Sequence, residues 1–325
     1  MAVKITTRDL EQEIIDLESR LQHARKRLAL ASSSPSTPLP PPYSNHNDDD
    51  SDYDMTPTKG NTAPPPAAIP ISHALLLLSD SALPLGSFAY SSGLESYLAH
   101  NKPLPRTVTP VASFHRFLKL SIASMASTSI PYVLAAYRYP EDLETLDNDM
   151  DASTPCIVAQ RASVAQGRAL IGVWERAFRA SYAATTTTTT TTSLTPAAAA
   201  AVQAIADFSD ALKLCGDTAD ELGPKGHLAP LWGVVCSAMG MDARQTAYVF
   251  MVNHAKAVLS AAVRASVMGP YQAQSVLASQ RLQDMITERI DKEWDTPVED
   301  AGQIVPPLDL WVGRHELLYS RIFNS

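Results

Sequence analysis

Cysteine is scarce in this 325-residue chain. Cys156, Cys215 and Cys236 are odd in number, far apart and free of any C-x-x-C pair. A disulfide framework or structural zinc site is therefore not expected, and a reducing compartment, the cytoplasm, fits. Clustered positive charge is equally rare. Arg25-Lys26-Arg27 is the one basic run that stands out, and the formal net charge is −8. Sequence-independent nucleic-acid binding needs a positive field and is not expected. The N-terminus is charged and amphipathic, without the apolar core of a signal peptide, and no membrane span is expected.

The motifs of common chemistries are missing as well. There is no G-x-S-x-G elbow and no G-x-x-x-x-G-K-[ST] phosphate loop. His315-Glu316-Leu317-Leu318-Tyr319 begins like a zinc-protease helix, but Tyr319 stands where the second histidine ligand belongs. The eight histidines are scattered, and neither a metal site nor catalytic residues are assigned from them. His254 draws most interest, beside Asn253 and Lys256 on an apolar helix. A polar pocket formed by Asn253, His254 and Arg264 is the alternative that would make this chain a helical enzyme.

What the chain does have is helical periodicity and apolar content, at 45% hydrophobic residues. In residues 1–31, Leu10, Ile14, Leu17, Leu21, Ala24 and Leu28 follow a 4-3-4-3-4 spacing. That is the seam of a short coiled coil, or of an amphipathic helix lying on the main domain. Residues 32–70 are rich in Pro, Ser and Asp and predict a disordered linker. From residue 71 to 294 helical patterns follow one another, and no alternating strand pattern of useful length appears. Thr109-Pro110 and Asp242 with Gln245 are helix starts. Further helices are expected from near Pro131 to Tyr139, over residues 157–182, 197–214 and 228–239, and from Pro270 to about Lys292. Residues 140–155 predict a short helix or loop. Residues 183–196 hold eight consecutive threonines, 185–192, and predict a surface insertion. The fold class is all-α, a bundle of about eight to ten helices.

Two stretches depart from this pattern. In Leu83-Pro84-Leu85-Gly86-Ser87-Phe88-Ala89-Tyr90-Ser91-Ser92-Gly93-Leu94-Glu95, Pro84 ends one helix, and Gly86 and Gly93 lend backbone freedom. Ser92 with Glu95 predicts a capping box that starts the next helix. The stretch is a tight corner between helices, or a rigid loop offering Phe88 and Tyr90 to a partner. The second is the tail, residues 295–325, with Leu308, Leu310, Trp311, Leu317, Leu318, Tyr319, Ile322 and Phe323. Burying these side chains does not clearly offset the entropy of ordering them, so the tail is expected to be loose alone and ordered on a surface. That surface is its own domain or a partner's, with Arg314 and Arg321 giving directional hydrogen bonds.

These two stretches also carry a resemblance. An apolar helix, a Pro-x-Gly turn with an aromatic two residues on, then Ser-x-Gly-Leu-Glu resembles the signature of the UreF-type urease accessory proteins. Arg314-His315-Glu316-Leu317-Leu318-Tyr319-Ser320-Arg321-Ile322-Phe323-Asn324-Ser325 resembles that family's C-terminal end. Residues 163–170 and 226–233 resemble family positions less specifically. The resemblance implies a helical, non-catalytic adaptor in nickel delivery to urease, without a cofactor of its own. It implies binding to a UreD-type scaffold (also called UreH), recruitment of a UreG-type GTPase to the urease apoprotein, and a homodimer. It also assigns partner-binding roles to Pro84, Gly86, Ser87, Phe88, Tyr90, Gly93 and Glu95 in the loop. In the tail it assigns them to Arg314, His315, Glu316, Leu318, Tyr319, Arg321 and Phe323.

Overall fold

A computed structural model describes residues 73–183, 195–215 and 223–324. The helix expected in residues 1–31, the linker and the threonine run lie outside the described residues. The described body is all-α, with no strand among its residues.

Its axis is α3, Pro110–Arg138, a helix of 29 residues. Thr109 caps it, the side-chain oxygen accepting Ala112 N–H at 3.1 Å, and Pro110 occupies the first turn, where no N–H is needed. A new helix was expected at Pro131; α3 instead runs straight through it. The missing proline N–H frees the carbonyl of Ser127, four residues back. Gly302 N–H takes that carbonyl at 3.2 Å, so a loop from the distal end of the chain repairs the ladder. Residues 120–137 of this helix carry no charge. By length and composition α3 is long and apolar enough to cross a membrane, contrary to the expectation, but 78% of its apolar window is buried inside the bundle.

The other helices, in chain order, begin with α1 (His73–Ser79), α2 (Leu94–His100), α4 (Leu143–Ser153), α5 (residues 157–182), α6 (Pro196–Cys215) and α7 (Leu228–Ala238). The remainder are α8 (Ala243–Arg264), α9 (Pro270–Ala278), α10 (Gln280–Glu293) and α11 (Pro306–Arg314). Within α5, Trp174–Phe178 form a π-helical turn that brings both aromatic ends into the core. Every residue of α7 from Ala229 to Ala238 is buried, so it fills the centre against α3. Asp242 caps α8 as expected, accepting Gln245 N–H at 2.8 Å. The single helix expected from Pro270 is divided at Ser279, whose backbone is extended and whose hydroxyl caps α10 through Leu282 N–H.

Two glycines set how close the helices come. A Cβ on Gly233 would lie 2.2 Å from the carbonyl oxygen of Val133 on α3. One on Gly167 would lie 2.1 Å from the oxygen of Gly226. Both neighbours are backbone and cannot rotate away. Gly233→Ala is therefore expected to lower stability by about 1–3 kcal/mol in denaturant unfolding. Gly302→Ala, with open space around its Cβ position, is expected to fold with its α3 contact retained and much smaller loss.

Candidate functional site, a corner and tail fastened together

The stretch from Leu83 to Glu95 is a tight corner with its own internal bonds. Leu85 is buried, and Gly86 is left-handed at φ 73°. Ser87–Ala89 make one 3₁₀ turn, closed by Ala89 N–H on Gly86 O and Tyr90 N–H on Ser87 O. Ser87 donates to Gln166 Oε1 of α5 at 2.8 Å. Ser92 and Gly93 are both left-handed, at φ 52° and 85°. A Cβ on Gly93 would meet Val312 of α11 at 3.0 Å, so here the glycine also serves approach by the tail.

The capping box expected from Ser92 and Glu95 is not formed. Gly93 is the N-cap of α2, without a side-chain cap, and the buried Ser91 hydroxyl reaches Glu95 N–H instead. The Glu95 carboxylate is thereby left for another task. It accepts His315 Nε2 at 2.8 Å, Ile322 N–H at 2.7 Å and Phe323 N–H at 3.2 Å. Three donors from the tail converge on one carboxylate of the corner.

Further contacts seat the tail. Asn324 N–H donates to Ala89 O at 2.8 Å. Phe323 is buried beneath the Arg264 guanidinium, 4.4 Å from its ring centre. Trp311 meets the Tyr97 ring edge-on at 4.7 Å, and Arg161 of α5 pairs with Glu316. The tail was expected to order on a surface, its own domain's or a partner's; in the single chain it lies on its own domain. The expectation weighed apolar burial against chain entropy and left out the Glu95 contacts, which span 220 to 228 residues.

Seating the tail sorts the residues expected to meet a partner. Phe88 is 69% exposed and Tyr319 fully so, and Pro84, Arg314 and Arg321 are exposed. Leu317 and Ile322, which were not singled out, are exposed as well. Leu318 is half-buried. Glu95, His315 and Phe323 face inward in the single chain and join corner to tail. Glu316 is engaged by Arg161, and Gly86, Ser87 and Gly93 act through the backbone and the Gln166 contact.

Behind the corner lie two adjoining chambers of about 230 and about 190 Å³. Tyr90, Ser92, Met125, Gln166, Phe250 and His254 line both. Tyr90 therefore faces this interior more than the outer surface. The His254 ring meets Ser121 Oγ at 2.8 Å. Burial lowers its pKa to about 4, with the Ser121 contact partly opposing. Asn253 donates to Leu78 O at 2.9 Å, Lys256 to Ser79 O, and Arg264 stacks on Phe323. The polar trio considered for catalysis does not converge. Two of its members fasten α1 and the tail to α8.

A second polar cluster escaped sequence reasoning. The buried Asp147 carboxylate accepts the N–H groups of Lys225 (2.6 Å), Gly226 (2.9 Å) and His227 (2.5 Å). The fully buried His227 ring meets Ser163 Oγ at 3.1 Å and Asp151 Oδ1 at 3.0 Å. The order hydroxyl, imidazole, carboxylate resembles a proton relay, but Ser163 Oγ also accepts Leu228 N–H and so caps α7. An acidic residue on the apolar-periodic segment 140–155 was the available signal. Among the described residues no three His, Cys, Asp or Glu side chains are grouped to hold a metal ion.

The His254 shift has a sign. Between about 4 and the ordinary 6.5, the unfolded chain binds a proton that the folded chain does not, so stability falls as pH drops through that window. The loss approaches about 3 kcal/mol at roughly 1.4 per tenfold change in proton affinity. His254→Gln is expected to flatten this slope when urea unfolding of variant and wild type is compared between about pH 7 and about pH 4.5.

Comparison with known proteins follows this geometry. The UreF family model matches residues 108–281, from the start of α3 into α10. A Schizosaccharomyces pombe protein described as urease accessory protein UreF-like is 35% identical over 257 residues, covering 78% of this chain and 97% of its own length. Urease accessory protein F of Arabidopsis thaliana is 32% identical over 259 residues, 76% of this chain and 90% of its own. Urease accessory protein UreF of Mycobacterium tuberculosis is 26% identical over 255 residues, again reaching 97% of its length. The bundle, the corner and the seated tail are thus those of a chain that belongs to the UreF family of urease accessory proteins.

Proposed function

We propose that this chain is a non-catalytic adaptor in urease maturation. In this reading it binds a UreD-type scaffold (UreH-type in other naming) on the urease apoprotein and recruits a UreG-type GTPase there. Nickel is cargo of that assembly rather than a resident cofactor of this chain. The GTPase's nucleotide turnover is coupled to nickel release toward the enzyme, and this chain modulates that turnover as a homodimer in the cytoplasm.

The observation that carries the reading is the outward display of apolar side chains at the corner and tail. Phe88, Leu317, Tyr319 and Ile322 together expose large apolar groups on a body whose other large side chains are mostly buried. Exposed large apolar groups on adjoining segments mark interaction surfaces. Family membership supplies the process they serve. What the proposed mechanism asks of this chain is positioning: it holds two partners at fixed distance and orientation, and no bond is made or broken by its own residues.

Deletion of residues 314–325 is expected to abolish co-elution with the purified scaffold in size-exclusion chromatography. Unchanged complex formation removes the tail from the mechanism. Phe88→Ala is expected to weaken GTPase recruitment by about tenfold or more, the scale of a buried aromatic anchor, while sparing the scaffold. Titration of the GTPase onto the preformed complex measures this, and equal affinities for variant and wild type reduce the loop to a corner.

A further inference from the structure

Ser163, His227 and Asp151 form a run of hydrogen bonds whose hydrogens are placed by elimination. Asp151 Oδ1 lies 3.0 Å from His227 Nε2, and a carboxylate only accepts, so Nε2 carries the hydrogen of the neutral ring. His227 Nδ1 is then an acceptor, and its partner at 3.1 Å, the Ser163 hydroxyl, is the donor. Ser163 Oγ takes Leu228 N–H at 3.2 Å on a lone pair, so capping α7 and donating to the imidazole do not compete. Asp151 is partly exposed and His227 fully buried. This is the arrangement of a hydroxyl activated by a base that a carboxylate orients.

The hydroxyl also has access. Ser163 is half-buried and lines the smaller chamber, of about 190 Å³, as does Ala229 of α7. α7 starts at Leu228 and turns the positive end of its dipole toward Ser163. The Ala229 N–H, in the first turn of α7, has no acceptor among the described residues. Met125, Met150, Phe250 and Leu308 give the chamber an apolar wall, on which Asp309 is the one Asp, Glu, Lys or Arg among the described residues.

We propose that Ser163 is a covalent modification site, an acyl acceptor for small uncharged activated esters or thioesters that enter this chamber. Ser163 Oγ bonds to the carbonyl carbon while its hydrogen passes to His227 Nδ1. Asp151 keeps the Nε2 hydrogen and stabilises the imidazolium. Ala229 N–H is the donor on hand for the carbonyl oxygen as it gains charge. The bond to the leaving group then breaks, and the alcohol or thiol departs with the hydrogen from Nδ1. The reaction stops at the acyl serine. His227 has no exposed surface and meets the chamber through Ser163, so the acyl group keeps water from the base that would activate it. The site goes beyond the adaptor function, which asks no chemistry of this chain, and does not rest on it.

The full chain, mixed with p-nitrophenyl acetate, is expected to release about one equivalent of p-nitrophenolate and then stop. Mass spectrometry is expected to place the acetyl group on Ser163, and Ser163→Ala to abolish both signals. His227→Gln keeps an acceptor toward Ser163 and a donor toward Asp151 but cannot take the hydrogen. With its helical circular dichroism unchanged, it is expected to acylate about a hundredfold more slowly or less. Should that variant not fold, the wild type carries the test, with Ser163 acetylated in buffer and bare after the same exposure in unfolding urea. Acetyl groups confined to lysines and tyrosines overturn the proposal. So do a folded His227→Gln chain that reacts at the wild-type rate, equal acetylation of Ser163 in urea, and a Ser163-dependent release that continues past one equivalent. None of these outcomes bears on partner recruitment, so the adaptor function stands or falls separately.

Discussion

Backbone contact between α3 and α7 is the constraint on which the rest of this protein is built. With no side chain on Gly233, the two helices approach until a carbonyl of α3 occupies the space a methyl group would fill. At that distance each residue of α7 is surrounded, and the ten residues from Ala229 to Ala238 lie in the interior. α7 is too short to be held by its own hydrogen bonds. It stays helical because the bundle encloses it, and the bundle encloses it because Gly233 allows the approach. The serines and alanines along α3 follow the same logic, since small side chains let neighbouring helices come close on several faces.

An interior this tight is intolerant of loose polar groups, and several are engaged over a long sequence distance. Pro131 frees the Ser127 carbonyl, and Gly302 takes it. Asp147 would be an isolated buried charge were it not for three backbone N–H groups from the 225–227 loop. Trp232 on α7 donates its ring N–H to Thr246 O. His254 stays neutral against Ser121. These bonds fix which segments lie beside which, in a core whose apolar contacts would tolerate several arrangements.

The corner and tail extend this pattern to the surface. Glu95 does for the tail what Asp147 does for the 225–227 loop: one carboxylate gathers donors from a segment with little regular structure. The exposures differ, and with them the use. Asp147 is sealed inside, while Glu95 lies at the edge of a surface from which Phe88, Leu317 and Tyr319 project. A fixed corner with mobile-looking composition suits the proposed adaptor function, because positioning fails when a docking segment wanders. The two chambers behind the corner and the depressed His254 pKa belong to the same region, yet the polar groups around them are engaged in holding α1, α3 and the tail.

By itself the sequence determined the helical class, the caps at Thr109 and Asp242, and the family, because each of these is written within a few turns of helix or a short contiguous motif. Only the tertiary structure decided that Pro131 lies inside a helix, since the compensating donor is Gly302, 171 positions away in the chain. It alone decided that Glu95 is a tail anchor rather than half of a capping box, because local spacing with Ser92 suits both and the donors come from residues 315, 322 and 323. The same holds for Asp147, whose partners are a loop that composition marks merely as a break. Local free energies can be read along the chain; the choice of partner for a buried carboxylate or a freed carbonyl is made in space, where no sequence period points to it.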